Sequence, residues 1–214
     1  MVAEALLGQV GHHLADKSQG GLLFHSGGVV WGDGGMILPG GIGAGKSTLT
    51  AWFLRQGFTY LTDEMVFVPE GATEFHGFTR PLTIKSSARP AVQALLSADD
   101  EGSIWRTPGV DILPVSILGA PQVAAQAPIR LILFPSFKLG AALNWSPLTK
   151  AQTGLRLMEC LVNARNLPDH GFAQVARLAR LAPAYSLEYG NFEQLAPLLE
   201  QCRQRLAETP LPPK

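Results

Sequence analysis

Cysteine is nearly absent. Cys160 and Cys202 are the only two, both in segments with helical spacing and neither in a CxxC or Cys/His cluster. That excludes a disulfide framework and a cysteine-built zinc site, and predicts two reduced thiols in the core or at the surface. An excess of one charge is also missing. Lys and Arg total 17, Asp and Glu total 17, and no basic run occurs, so the chain has no electrostatic footprint for nucleic acid or an anionic membrane. Any charged ligand must be held by a local site. Long hydrophobic runs are lacking as well: the longest uncharged stretch, Ile112 to Ile129, is broken by Pro114, Pro121 and Pro128 and carries Gln122 and Gln126, which argues against a membrane span. The opening MVAEALLGQVGHHLADK has an early Glu4 and no basic segment, unlike a secretory signal, so a cytoplasmic location is expected. Internal repeats and long linkers are absent. At 214 residues and 46% hydrophobic content, the chain can bury a full core and is expected to form a single domain over 1–214.

Apolar periodicity and glycine punctuation set the expected order of elements. Val2, Ala5, Leu6, Val10 and Leu14 lie near helical spacing, predicting a helix over 2–16 that ends before the turn at 18–21. Three short apolar runs follow, Leu22–His25, Val29–Trp31 and Met36–Leu38, separated by glycine pairs and read as a tight meander. The segment KSTLTAWFLRQG, with Leu49, Trp52 and Phe53 on one face and Gly57 as its stop, predicts a helix. Phe58–Leu61 and Met65–Val68 read as strands on either side of Thr62-Asp63-Glu64. An extended segment is expected at 75–85, a short helix at 87–97, and a strand at Ile129–Phe134. A helix is expected over 147–166, with Ser146 as cap and Pro147 in its first turn, carrying Leu155, Met158, Leu161 and Val162. Helices at 171–181 and 191–207 would flank a strand at Ala184–Tyr189, and the tail TPLPPK is expected to fray. The whole reads as α/β, with a catalytic core at 19–70 and a mainly helical part at 146–207.

The chemistry concentrates at Gly40-Gly41-Ile42-Gly43-Ala44-Gly45-Lys46-Ser47, which fits GxxxxGK[ST]. In that pattern glycines let successive backbone N–H groups turn inward while the next helix aims its positive end at phosphates. Lys46 would meet the β- and γ-phosphates, the Ser47 hydroxyl would ligate Mg²⁺, and Thr48 would complete the nucleotide contacts. The expected ligand is ATP with Mg²⁺. Asp63-Glu64 ends the strand after that helix, where neighbouring parallel strands would bring a metal-binding acid to the phosphate edge of the sheet. A solvated acidic turn is the plainer reading of that pair, as a structural histidine is for His25 and surface charge for Arg80 and Lys85.

The stretch from His25 to Val68, HSGGVVWGDGGMILPGGIGAGKSTLTAWFLRQGFTYLTDEMVFV, resembles the catalytic core of the HPr serine kinase/phosphorylase family, whose nucleotide fold is shared with phosphoenolpyruvate carboxykinases. A histidine at a strand end, a glycine-punctuated hairpin, a P-loop, one helix and an acidic pair occur in the same order. FTRPLTIKSSARPAV and GFAQVARLARLAPAYSLEYGNFEQL resemble the HPr-kinase-related kinase A branch. The resemblance implies a P-loop-containing mixed sheet with flanking helices. It also implies an ATP- and Mg²⁺-dependent kinase that phosphorylates a hydroxyl, foremost a serine of a protein or peptide. By the family pattern His25 would lie near the γ-phosphate, Asp63 would be the general base and Glu64 would help hold Mg²⁺, with Arg80 or Lys85 as the further cation at the transferring group or acceptor. Two features depart from the pattern: the second acid is Glu, and no Arg-Gly-rich stretch follows the core, so HPr itself is not implied as acceptor. A regulatory nucleotide-binding module without transfer and a small-metabolite kinase are the competing readings. No LSGGQ-like segment supports an ABC-type ATPase, and self-association is compatible with the sequence.

Overall fold

A computed structural model describes residues 2–120 and 123–208, with the side chains of residues 2–7 and 208 excepted. The tail expected to fray, and the outlook of Val2, Ala5 and Leu6, lie outside the described residues. In chain order the elements are α1 (Val2–Lys17), β1 (Gly21–Trp31), β2 (Gly34–Pro39), α2 (Lys46–Arg55), β3 (Thr59–Thr62), β4 (Met65–Pro69), β5 (Glu74–Gly77), β6 (Leu82–Lys85) and α3 (Arg89–Gln93). There follow β7 (Trp105–Arg106), β8 (Val110–Leu113), β9 (Gln126–Phe137), β10 (Asn144–Pro147), α4 (Lys150–Cys160), α5 (Phe172–Leu181), β11 (Ala184–Tyr189) and α6 (Ala196–Glu208).

Eight strands form one mixed sheet in the order β10-β11-β9-β2-β1-β4-β5, with β3 also paired to β1. β2 and β11 run parallel to β9, whereas β1 is antiparallel to β2, β3 and β4. The sheet curls until Glu74–His76 of β5 pair with Gln126–Pro128 at the start of β9. Phe75 fills the inside of that curl and is fully buried. A Cβ on Gly28 or Gly35 would come within 2.8 or 2.3 Å of its ring, so glycine at both positions is what lets the ring sit against the backbone. β6, β8 and β7 make a separate three-stranded sheet.

Consecutive residues of the central strands enter different cores, as the twofold alternation of a strand requires. Met36 and Leu131 join Leu49, Trp52 and Phe53 of α2 and Leu198, Cys202 and Leu206 of α6 on one face. Ile37 and Ile132 join Leu157 and Cys160 of α4 and Val175 and Leu178 of α5 on the other. Each such fully buried side chain contributes about 1.5–3 kcal/mol. Both cysteines are free and buried, and among the described residues no helix is long and apolar enough to cross a membrane.

Three local expectations need correction. The first two runs of the meander are one continuous strand, because Ser26-Gly27-Gly28 stay extended and β1 merely shifts register at Gly28/Val29 as it passes from one partner to the next. Ser146-Pro147 does not start a helix: it ends β10, paired with Ser186 and Tyr185. The helix begins at Lys150, where Thr149 and Gln152 form a reciprocal capping box that closes two otherwise orphaned N–H groups. Its buried residues are Thr153, Leu157 and Cys160, which leaves Leu155 exposed.

Candidate functional site

β2 delivers the chain at Pro39 into the glycine loop, and α2 starts at Lys46. Gly43 and Gly45 take left-handed φ values of 85° and 91°. A Cβ on Gly45 would also approach Cβ of Phe137 at 3.1 Å and the Tyr189 hydroxyl at 3.2 Å, so the turn into α2 requires glycine. α2 has no side-chain cap and no acid in its first turn. Its first N–H groups therefore point outward with their partial positive charge uncompensated, the physical requirement for anion binding. Gly41, Ile42 and Gly43 are exposed, and Gly40, Ala44, Gly45, Ser47 and Thr48 are half-buried. The loop is tied at two points: Gly40 N–H donates to the His25 carbonyl at 3.4 Å, and Phe137 N–H donates to the Ala44 carbonyl at 3.2 Å. The Lys46 ammonium folds back to donate to the Gly40 and Gly41 carbonyls at 2.8 and 2.9 Å. Burial lowers the Lys46 pKa, while Glu64 and Cys160 work against that shift.

The acidic pair sits on the other side of β1. The notion of neighbouring parallel strands is corrected by the topology, because β2 and β3 both pair with β1, which runs between them. They still deliver their carboxyl ends to the same region: Ser26 faces Pro39 on one side, and its N–H donates to the Glu64 carbonyl at 3.0 Å on the other. His25 is thus inside β1, not at a strand end, with the start of the glycine loop on one flank and the acid turn on the other.

Asp63 is almost completely buried and engaged at both oxygens. Its Oδ1 accepts from the Tyr60 hydroxyl at 3.1 Å and Arg80 Nε at 3.3 Å, and its Oδ2 from Thr83 N–H at 3.2 Å, with the Ser47 side chain close by. Burial pushes its carboxyl pKa up, against Arg80 and the Thr83 amide, which hold it down. Three donors thus engage the two oxygens. Glu64 differs: its side chain is 33% exposed, Oε2 accepts from Arg80 Nη2 at 2.6 Å, and Oε1 stands 3.9 Å from His25 Nε2. Burial, with help from the Lys46 charge, pulls the His25 pKa down to about 4, so the imidazole is neutral at pH 7 and its approach to Glu64 is no ion pair.

The structure therefore brings His25, Lys46, Ser47, Asp63, Glu64 and Arg80 together. It occupies the Arg80 guanidinium with both acids, which argues against Arg80 as a free cation for a transferring group. Lys85 is exposed, and its charge reaches both His25 and Lys46. Sequence reasoning missed Tyr60, whose buried hydroxyl bridges Asp63 and the Arg80 carbonyl, and Thr62, whose hydroxyl accepts from the Glu64 and Met65 N–H groups. Tyr60 sits in an apolar run, and nothing in its spacing marks it as anything but core.

No family model matches the chain, and no curated protein matches it. Among solved structures, the Hpr(Ser) kinase/phosphatase from Coxiella burnetii is similar over 86% of this chain and 88% of its own, at 14% sequence identity and a TM-score of 0.41. A likeness that slight carries no argument about the site.

Proposed function

We propose that the chain is an ATP- and Mg²⁺-dependent phosphotransferase of the HPr serine kinase-like type, acting on a hydroxyl of a protein or peptide, foremost serine. The observation that carries this reading is the junction at β1. Gly40, which opens the glycine loop leading to the uncapped helix start and Lys46, and the Glu64 backbone of the acid turn are hydrogen-bonded to the consecutive residues His25 and Ser26 of one strand. The motif order of residues 25–68 supports the same class.

The glycine loop would cradle the triphosphate with the N–H groups at the start of α2, and Lys46 would leave the Gly40 and Gly41 carbonyls to meet the β- and γ-oxygens. The residues fit Mg²⁺, which takes one or two protein oxygens and completes its shell with phosphate and water: half-buried Ser47 follows Lys46 in the first turn of α2, and its side chain lies near the Asp63 carboxylate. Bound there, the ion would neutralise charge on the phosphate oxygens. The wiring favours the reverse of the family's division of labour. Asp63, held by three donors and close to Ser47, belongs to the metal's surroundings, whereas Glu64 has an oxygen free to accept a proton. In the transfer, the acceptor oxygen bonds to the γ-phosphorus, the bond to the β-bridging oxygen breaks with its electron pair leaving on ADP, and the hydroxyl proton passes to Glu64. Neutral His25 would orient the acceptor or a γ-oxygen through a hydrogen bond.

Calorimetry with ATP and Mg²⁺ tests the first requirement. Lys46→Ala should lower affinity at least tenfold while leaving the circular dichroism spectrum unchanged, since the ammonium contacts only its own loop. Equal affinity in the two proteins would remove the phosphate-loop assignment. Transfer of labelled γ-phosphate to protein then separates a kinase from a module that only binds.

A further inference from the structure

A cleft of about 470 Å³ flanks the glycine loop. Its floor is the start of the loop, Pro39 to Gly41 and Ala44, its wall is Phe134-Pro135 at the end of β9, and its roof is α4. The buried stripe of α4 holds that helix on the sheet, while a second ridge, Gln152, Leu155, Arg156 and Glu159, lines the cleft at the spacing that aligns side chains along one side of a helix. Gln152 is engaged in the capping box, but the charged groups of this ridge are uncommitted. Among the described residues neither Arg156 nor Glu159 has a hydrogen bond or ion pair, and the Arg156 guanidinium rests 5.7 Å from the centroid of the Phe134 ring.

The cleft borders the reactive residues: Cys160, in its lining, lies within electrostatic reach of Lys46, and the next two residues are stitched to β1 beside His25, Leu161 bridging Phe24 and Val162 N–H donating to the Leu23 carbonyl at 2.9 Å. Gly40, in the floor, donates to the His25 carbonyl. The cleft also has an apolar rim. Leu155, in the lining, is 66% exposed, and Ile42, in the loop between the lining residues Gly41 and Ala44, is 82% exposed. A small polar metabolite would make no use of such a rim, whereas a polypeptide would bury it.

We propose that this cleft is the acceptor subsite and that it takes an extended peptide segment: the hydroxyl side chain points to the His25 end, an apolar side chain seats on the Ile42–Leu155 rim, and an acidic side chain pairs with Arg156. The inference rests on the phosphotransferase reading. Arg156 is the stronger selector because it is half-buried whereas Glu159 is exposed, and a partly desolvated guanidinium gains most from a carboxylate that can meet it in bidentate fashion.

The test is labelled phosphate transfer from ATP with Mg²⁺ to a positional-scanning library of serine-centred peptides. The wild-type protein should favour an acidic residue at one flanking position by roughly tenfold. Arg156→Gln should erase that preference, Arg156→Glu should turn it towards basic residues, and Leu155→Asp should erase an apolar preference at another position. ATP affinity by calorimetry should stay within a few-fold in all three. An unchanged acidic preference in Arg156→Glu would overturn the proposal, as would transfer to small hydroxylated compounds but to no peptide. A dimer that Leu155→Asp dissolves would overturn it too, by assigning the rim to a second copy. Failure of the wild-type protein to bind ATP would be a different result, removing the phosphotransferase reading on which the subsite depends.

Discussion

Two buried aspartates, each gripped by arginine, stand in different parts of the molecule and are wired differently. In the small sheet, Asp111 accepts from Arg89 in bidentate fashion at 2.6 and 2.8 Å and from Arg106 at 2.5 Å, and Arg106 continues to Glu101 at 2.8 Å. Two guanidinium groups meet two carboxylates, and the charge closes. Beside the glycine loop, Asp63 and Glu64 share the single guanidinium of Arg80, and the next cation, Lys46, is hydrogen-bonded to loop carbonyls and not to either acid, so the ion pairing is incomplete, with Glu64 partly in solvent. A balanced buried network favours one arrangement of its groups. In the reading proposed above, an incompletely paired one next to an uncapped helix and a lysine held by loop carbonyls would receive a cation and an anion together, the demand of a metal-bound phosphate. The comparison teaches that incomplete pairing, more than ion pairing as such, distinguishes the candidate site from the supporting network.

Exchanging the roles of the two acids would break this contrast most severely. With a peptide or protein acceptor in hand, Glu64→Gln should lower kcat by roughly 10²- to 10⁴-fold with Mg²⁺-ATP affinity nearly unchanged, while Asp63→Asn should raise the Mg²⁺ requirement and weaken nucleotide binding. A Mg²⁺ titration of both variants decides it, and the opposite pair of phenotypes would restore Asp63 as base. A smaller effect should separate the two networks by pH. His25 has a folded-state pKa of about 4 against an ordinary value of 6.5, so the unfolded chain binds the extra proton between those values. Stability from this group is complete above pH 6.5 and is lost as pH falls towards 4, by at most about 3 kcal/mol. Glu101, held below its ordinary range by hydrogen bonds from Arg106 and Gln93, loses its contribution only at lower pH. Denaturant titrations at pH 7, 5.5 and 4.5 should show a slope that His25→Gln flattens and Asp111→Ala does not. Asp111→Ala itself should act on the fold alone, lowering the melting temperature by roughly 5 °C while the folded protein keeps its ATP affinity. A loss of ATP affinity without a loss of stability would show that the small sheet is no mere support.

What was legible in the sequence is what depends on short-range chemistry. The glycine loop and the helix after it were readable because left-handed glycines and apolar spacing are local signals, and the acid turn because Asp63-Glu64 interrupts two apolar runs. β1 reads as two strands because glycine pairs usually mark turns, whereas here Gly28 makes room for the Phe75 ring and Gly27 for Thr50 of α2. Ser146-Pro147 reads as a helix start on local grounds and becomes strand only because residues 185 and 186 are there to pair with it. The engagement of Asp63 was invisible for the same reason: its donors come from Tyr60, Arg80 and the Thr83 backbone, and only the tertiary fold delivers them to one carboxylate.

The curl that brings β5 onto β9 also settles how the molecule meets its own kind in a crowded solution. A sheet end with unpaired N–H and C=O groups is a template on which another chain can add a strand. β5 spends that end on β9 within the same chain. At the other end of the sheet stands β10, four residues long, reading Asn-Trp-Ser-Pro and finishing in a proline that has no N–H to give. Among the described residues, the margins this sheet leaves open are short: proline-ended β10, and four-residue β3, whose outer side is bridged from Tyr60 to Val123.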